Sequence, residues 1–151
     1  MFKKILLCLD GSSLAEQMIP YATSIAQQYS SSLVLLQVVN VPSALAAASA
    51  QGAESVVEEE MQRLAFTSQT YLERLAGNLR ESGMTVEAVT IQGSPGNTIV
   101  EYATANEVDL VAIATHGRKN IGRLVFGSVA DHVLRHTCIP VLSVTPRESK
   151  K

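Results

Sequence analysis

No stretch of this sequence is both long and apolar enough to span a bilayer. Neither sign of charge dominates: the formal net charge is -2, so there is no global basic field of the kind that bulk nucleic-acid binding needs. No nucleic-acid or membrane partner is expected. Cysteine is scarce as well. Cys8 lies inside one apolar run and Cys138 just before another, and neither has a partner at CxxC or metal-ligand spacing. Both read as small, reduced core residues. Internal repeats and domain linkers are missing. The opening "MFKKILLCLDGS" has lysines ahead of apolar residues, as a signal peptide does. Its apolar part is only "ILLCL", and Asp10 follows with no small-residue cleavage site. It reads as a first strand, which leaves a cytoplasmic protein.

What is present suits one globular domain. The chain has 151 residues, 46% of them hydrophobic and 17% charged, enough to bury a real core and too apolar for disorder. "KKILLCL" (3–9) and "SLVLLQVV" (32–39) are short and almost continuously apolar, as parallel strands buried on both faces are. Between them Ser13 to Glu16 supplies S-x-x-E, a capping box opening a helix to about Tyr29, with Leu14, Met18 and Ile25 on one face. Pro20 should kink that helix or mark an irregular turn. Residues 41–53 are small and weakly patterned; a mobile arm and a short helix both fit. From 54 to about 82 Val57, Met61, Leu64, Tyr71, Leu75 and Leu79 recur at helical spacing, with glutamates 58–60 on a solvated face. A third strand follows at 84–91, then a helix with Ser94 as N-cap and Pro95 at its first position. A fourth strand covers 108–115, a helix 125–136 and a fifth strand 139–144. Strand and helix alternate throughout, which predicts an α/β domain over 1–146, a doubly wound parallel sheet with helices on both faces. The remaining 147–151 should fray as a disordered tail.

The chemistry concentrates behind the fourth strand. "ATHGRKNIGRLVFGS" (114–128) carries Gly117, Gly122 and Gly127 at five-residue intervals, followed by Ser128 and interleaved with basic residues. In an open parallel sheet ligands settle at the carboxyl ends of the strands, where the winding reverses. Glycines there let backbone N–H groups close on an anion, and the start of the next helix favours phosphate. A plain long loop is the rival reading, and the position at this sheet edge favours phosphate. "GRLVFGS" lacks the lysine of a P-loop, and "LDGSS" after the first strand lacks the G-x-G-x-x-G of a dinucleotide fold. Asp10, ending the first strand, faces the glycine stretch if strands one and four are neighbours. A carboxylate there can accept from a ribose hydroxyl or hold a metal beside phosphates; it can equally be a turn residue, with Ser12 as a helix cap. His132 and His136, spaced i, i+4, raise a metal pair, but ordinary helix-end histidines are the preferred reading. Arg118, Lys119 and Arg123 either add grip on phosphates or are solvated charges.

These residues resemble the universal stress protein family over nearly the whole chain. The resemblance rests on "KKILLCLDGS", "LVLLQVV", the block "ATHGR…FGSVADHVLRHTCIPVLSV" and the order of elements. The nucleotide-binding branch of that family carries G-x2-G-x9-G-[ST] after strand four; here Gly117, Gly127 and Ser128 stand at the expected spacing, and Ala114 replaces the first glycine. The resemblance implies a flavodoxin-like five-stranded sheet of order 3-2-1-4-5 with ATP, accompanied by Mg2+ or Mn2+, across strands one and four. Asp10 would contact ribose or adenine, with Ser12 nearby. Val38 would meet adenine through its backbone, Ile113 and Ala114 would border the ribose, and Gly117 would open the phosphate loop. Gly127, Ser128 and Val129 would hold the phosphates. An alanine at 114 costs about 1 kcal/mol or more if the position needs φ > 0, and is tolerated if the position is still strand. The implied role is an ATP-binding stress or regulatory protein, dimerising through "IPVLSV", whose apolar edge needs cover. The alternatives are a dimeric interaction module of the same family with an empty site, and an adenylating enzyme, for which "LDGSS" is too short and glycine-poor. No catalytic base is poised beyond Asp10, so no catalytic residue is assigned and any hydrolysis is expected to be slow or dependent on a partner.

Overall fold

Four runs of bulky aliphatic residues govern the sheet. In the computed structural model, which describes residues 1–115 and 127–145, they form β1 (Lys4–Leu9), β2 (Ser32–Val39), β4 (Leu110–Ala114) and β5 (Val141–Val144). β3 (Val86–Gln92) completes a five-stranded sheet ordered β3-β2-β1-β4-β5, with every neighbouring pair parallel. β1 pairs with β2 on one side (Cys8 opposite Leu36) and with β4 on the other (Cys8 opposite Ile113). The switch of winding direction therefore falls between β1 and β4, at their carboxyl ends. This is the doubly wound architecture that the alternating elements predict, in the flavodoxin-like strand order that the family resemblance implies.

Period-two alternation divides the core into two layers. Ile5, Leu7, Leu9, Leu33 and Leu35 face one side, where they meet α1 (Ser13–Glu16), α2 (Ile19–Tyr29) and α4 (Glu54–Glu81). Leu6, Cys8, Val34, Leu36, Val111 and Ile113 face the other and meet α5 (Pro95–Ala105) and α6 (Ser128–His136). The α4 stripe contains Met61, Leu72 and Ala76 fully or nearly buried, with Tyr71, Leu75 and Leu79 packed at its margin. Residues 58–60 lie outward, and Glu60 pairs with Arg63 on the surface. Residues 43–50 resolve the open question about this segment: they form a helix, α3 (Ser43–Ala50), none of whose side chains is buried.

The first helical segment breaks where Pro20 predicts a kink or irregular turn, and its cap differs from expectation. It is two helices, because Pro20 cannot donate a backbone hydrogen bond and so stands in the first turn of a new helix, α2. The cap is also Ser12 rather than Ser13: the Ser12 hydroxyl accepts from Ala15 N at 3.1 Å. Glu16 does not close a capping box; it accepts the Tyr71 hydroxyl of α4 at 2.7 Å. Ser94 occupies the N-cap position of α5 with Pro95 next, as predicted, but it makes no side-chain cap hydrogen bond. β4 and β5 each begin two residues later than predicted.

At the opposite, amino edge of the sheet, Asp109 ties β4 to β1. Its Oδ2 accepts from Lys3 N at 2.8 Å and Lys4 N at 2.9 Å. These backbone donors hold its carboxyl below the ordinary value of 3.8. A depressed folded-state value stabilises above the unfolded pKa, and the benefit disappears as pH falls through the folded one. Asp109→Asn is therefore expected to cost about 0.5–1 kcal/mol near pH 7, the screened worth of the partly exposed hydrogen bonds, and to cost less at about pH 3. Urea unfolding at both pH values checks this.

Candidate functional site

A cleft of about 160 Å³ opens at the carboxyl edge, on the α5/α6 face of the sheet. Its floor is sheet: Cys8 and Leu9 from β1, Leu36 and Val38 from β2, Ile113 and Ala114 from β4. Pro95 and Ile99 of α5 wall one side, and Gly127 to Ala130 at the start of α6 wall the other. Asp10 stands at the rim. Most of this lining is hydrocarbon, and the polar groups gather at the α6 end and at Asp10. That distribution suits a flat apolar ring with a charged tail better than it suits a wholly polar ligand.

The start of α6 has the chemistry to accept an anion. Gly127 is its N-cap with φ 73° and ψ 150°, a conformation that a residue with a Cβ essentially avoids. Gly127 has no side chain to cap the helix, so no cap side chain occupies the first N–H groups of α6, and Ser128 adds a hydroxyl beside them. A helix N-terminus left in this state carries about half a positive charge.

The predicted residues fall out as follows. Asp10, Val38, Ile113, Ala114, Gly127, Ser128 and Val129, drawn from four elements and their connections, meet at this one cleft. Ser12 does not line it; its hydroxyl is spent on capping α1, and its N–H donates to Asp10 Oδ1 at 2.9 Å. Ser12 therefore acts on the rim carboxylate from behind. Gly117, together with Gly122, Arg118, Lys119 and Arg123, lies outside the described residues. Ala114 is the last residue of β4, paired with Val144, and its φ is not positive. Its methyl group costs nothing in backbone strain.

Sequence reasoning missed Pro95, Ile99, Leu36 and Cys8. Leu36 and Cys8 were accessible to it, since they share a face with Val38 by alternation. Pro95 opens the helix that follows β3, and only the sheet order brings that helix over β2. Burial pushes the Cys8 thiol up to about 12, so it lies on the cleft floor as an unreactive apolar group.

His132 and His136 stack with ring centroids 4.1 Å apart, and His136 Nδ1 contacts the His132 carbonyl. Among the described residues no three His, Cys, Asp or Glu side chains converge as metal ligands. His132 instead packs on Gly96 of α5, where a Cβ would lie 2.8 Å from the ring. The contact fixes how far apart the two cleft-walling helices sit.

The universal stress protein family model matches residues 1–145. The chain belongs to this family. A relative within it, universal stress protein MJ0531 of Methanocaldococcus jannaschii, is 28% identical over 144 residues, covering 95% of this chain and 82% of that protein. Among solved structures, hypothetical protein MJ0577 superposes with a TM-score of 0.83 at 26% identity, covering 99% of both chains. A universal stress protein family member from Arabidopsis thaliana, solved with AMP bound, shares the fold at a TM-score of 0.68 and 15% identity, covering 96% of this chain and 92% of that one. No described helix is long and apolar enough to cross a membrane.

Proposed function

We propose that the chain is an ATP-binding universal stress protein with a regulatory rather than a metabolic role, acting in the cytoplasm. The observation that carries this reading is the uncapped, Gly127-led start of α6 opening into an apolar cleft at the switch point between β1 and β4. Adenine would lie among Val38, Leu36, Pro95 and Ile99. Ribose would lie over Ile113 and Ala114, with Asp10 accepting from a hydroxyl. The phosphates would meet the N–H groups at Ser128 and Val129 and the Ser128 hydroxyl, and the spacing of Gly117 from Gly127 assigns it to the same phosphate motif. The AMP-bound Arabidopsis relative, although it argues for the fold alone, has its ligand from the same chemical class. An Mg2+ or Mn2+ ion fits only as a companion of the triphosphate, because Asp10 is the one carboxylate among the described residues lining the cleft and such ions are held chiefly by phosphates and water.

The same reading includes a homodimer through β5. That strand is an edge of the sheet, and all four of its residues are only half-buried, so pairing with a second copy would cover it.

Releasing and identifying the nucleotide carried by freshly purified protein, then titrating ATP by calorimetry, tests the proposal. Adenine nucleotide in the extract, or a micromolar dissociation constant, is the expected result. An empty protein that takes up no ATP would overturn it in favour of an interaction module. Sedimentation at micromolar concentration reads the dimer separately.

A further inference from the structure

Tyr71 lies on the far side of the sheet from the cleft, yet it is wired to the cleft's rim. Its hydroxyl donates to Glu16 Oε1 at 2.7 Å, a contact between positions 55 apart in sequence. Glu16 is the last residue of α1, a helix of four residues. A single turn is far below the length at which a helix holds itself, so α1 depends on the burial of Ala15 and on what grips its two ends. Tyr71 grips the C-terminal end. At the N-terminal end Ser12 caps the turn through Ala15 N at 3.1 Å and donates its own N–H to Asp10 Oδ1 at 2.9 Å. The four groups form one chain of contacts, from α4 through α1 to the carboxylate at the cleft.

The electrostatics agree with the geometry. Burial first, then the hydrogen bond to Glu16 and the charges of Glu16 and Asp10, push the Tyr71 hydroxyl well above its ordinary 10.0, with Arg74 opposing weakly. The phenol is thus a firm donor at any ordinary pH, and Asp10 is close enough to act on it. Arg74 sits 5.9 Å from the ring centroid and belongs to the same face of α4.

We infer that Tyr71 is a positioning residue for the nucleotide cleft, holding the Asp10 carboxylate in place through Glu16 and α1. The inference rests on the reading of the cleft as an ATP site, but the brace itself can be observed without nucleotide.

Tyr71→Phe removes one oxygen and keeps the ring, which packs at the core margin. In the nucleotide-free protein the Ser12 amide, whose acceptor is Asp10, should exchange with solvent faster in Tyr71→Phe than in the wild type. With ATP, Tyr71→Phe should weaken binding by about 3–10-fold, the share of a charge-assisted hydrogen bond transmitted through one turn of helix. It should add nothing further in an Asp10→Asn background, because both changes remove the same positioned carboxylate. Glu16→Ala should copy Tyr71→Phe, and Glu16→Gln, which keeps an acceptor oxygen, should restore most of the affinity. Unchanged Ser12 exchange in Tyr71→Phe overturns the brace. So does a loss of affinity equal in both Asp10 backgrounds, or a lowered melting point with affinity intact. If exchange at Ser12 rises and yet the wild type takes up no ATP, the brace stands and the nucleotide reading fails.

Discussion

Gly127→Val is expected to abolish ATP binding while leaving the chain folded. The expectation follows from the backbone: φ 73° with ψ 150° at Gly127 lies in a region that is essentially closed to a branched side chain. Forcing valine to stay there costs about 1–3 kcal/mol, and the chain can avoid that cost only by turning the peptide planes at the head of α6. Turning those planes shifts the Ser128 and Val129 N–H groups, on which the proposed phosphate site depends. A displacement of two or three charge-assisted hydrogen bonds corresponds to a loss of at least roughly 100-fold in affinity. Calorimetry reads that loss, and circular dichroism and urea unfolding show whether the fold persists. Retained micromolar affinity in a folded Gly127→Val protein would mean that the phosphates do not lie at α6.

The second large effect belongs to Gly96, which has no contact with the proposed phosphates. A Cβ there would lie 2.8 Å from both Cγ and Cδ2 of His132 and 2.9 Å from its Cβ. Rotating the imidazole cannot relieve the last of these, because His132 Cβ is fixed to the α6 backbone. The helices themselves must separate. Overpacking of this kind costs about 1–3 kcal/mol. Against it, valine regains only a few tenths of a kcal/mol in helix propensity over glycine, so the clash wins. Gly96→Val should lower the melting point by roughly 2–12 °C. It should also weaken ATP binding, because α5 and α6 are the two walls of the cleft. Adding His132→Ala to Gly96→Val removes the two ring contacts but keeps the Cβ, so it should recover only part of both losses. If the double variant is no better than the single one, the interhelical contact does not set the cleft.

Where the sequence was legible, a single physical rule governed the residues. β1, β2 and β4 are nearly unbroken aliphatic runs because both their faces are covered, and that signal has few other sources. Pro20 announced the break between α1 and α2 for the same kind of reason, a missing donor. The identity of the cap was less legible: "SS" at 12–13 offers two hydroxyls, and S-x-x-E favoured Ser13. What tipped the balance to Ser12 was tertiary, since Tyr71 draws Glu16 away from the helix start. Alternation could have placed Leu36 and Cys8 in the cleft beside Val38. Pro95 and Ile99 required the sheet order itself, because nothing local says which strand α5 covers. The meaning of Ala114 was likewise conformational. Its tolerance depends on the register with Val144, which a run of small residues does not encode. Gly117 and the basic residues around it lie outside the described residues, so that part of the phosphate reading rests on spacing.

α3 holds eight residues, five of them alanine, and buries none. A helix of that length has little stability of its own, and here it contributes no side chain to either layer of the core. Opening it therefore exposes almost no new apolar surface, so its free energy of opening is set far below that of the sheet. In evolutionary terms this makes residues 43–50 a weakly constrained stretch of backbone among the described residues. Length changes there leave the core and the cleft floor untouched, and α3 is where diverging copies of such a chain can acquire different surfaces without refolding.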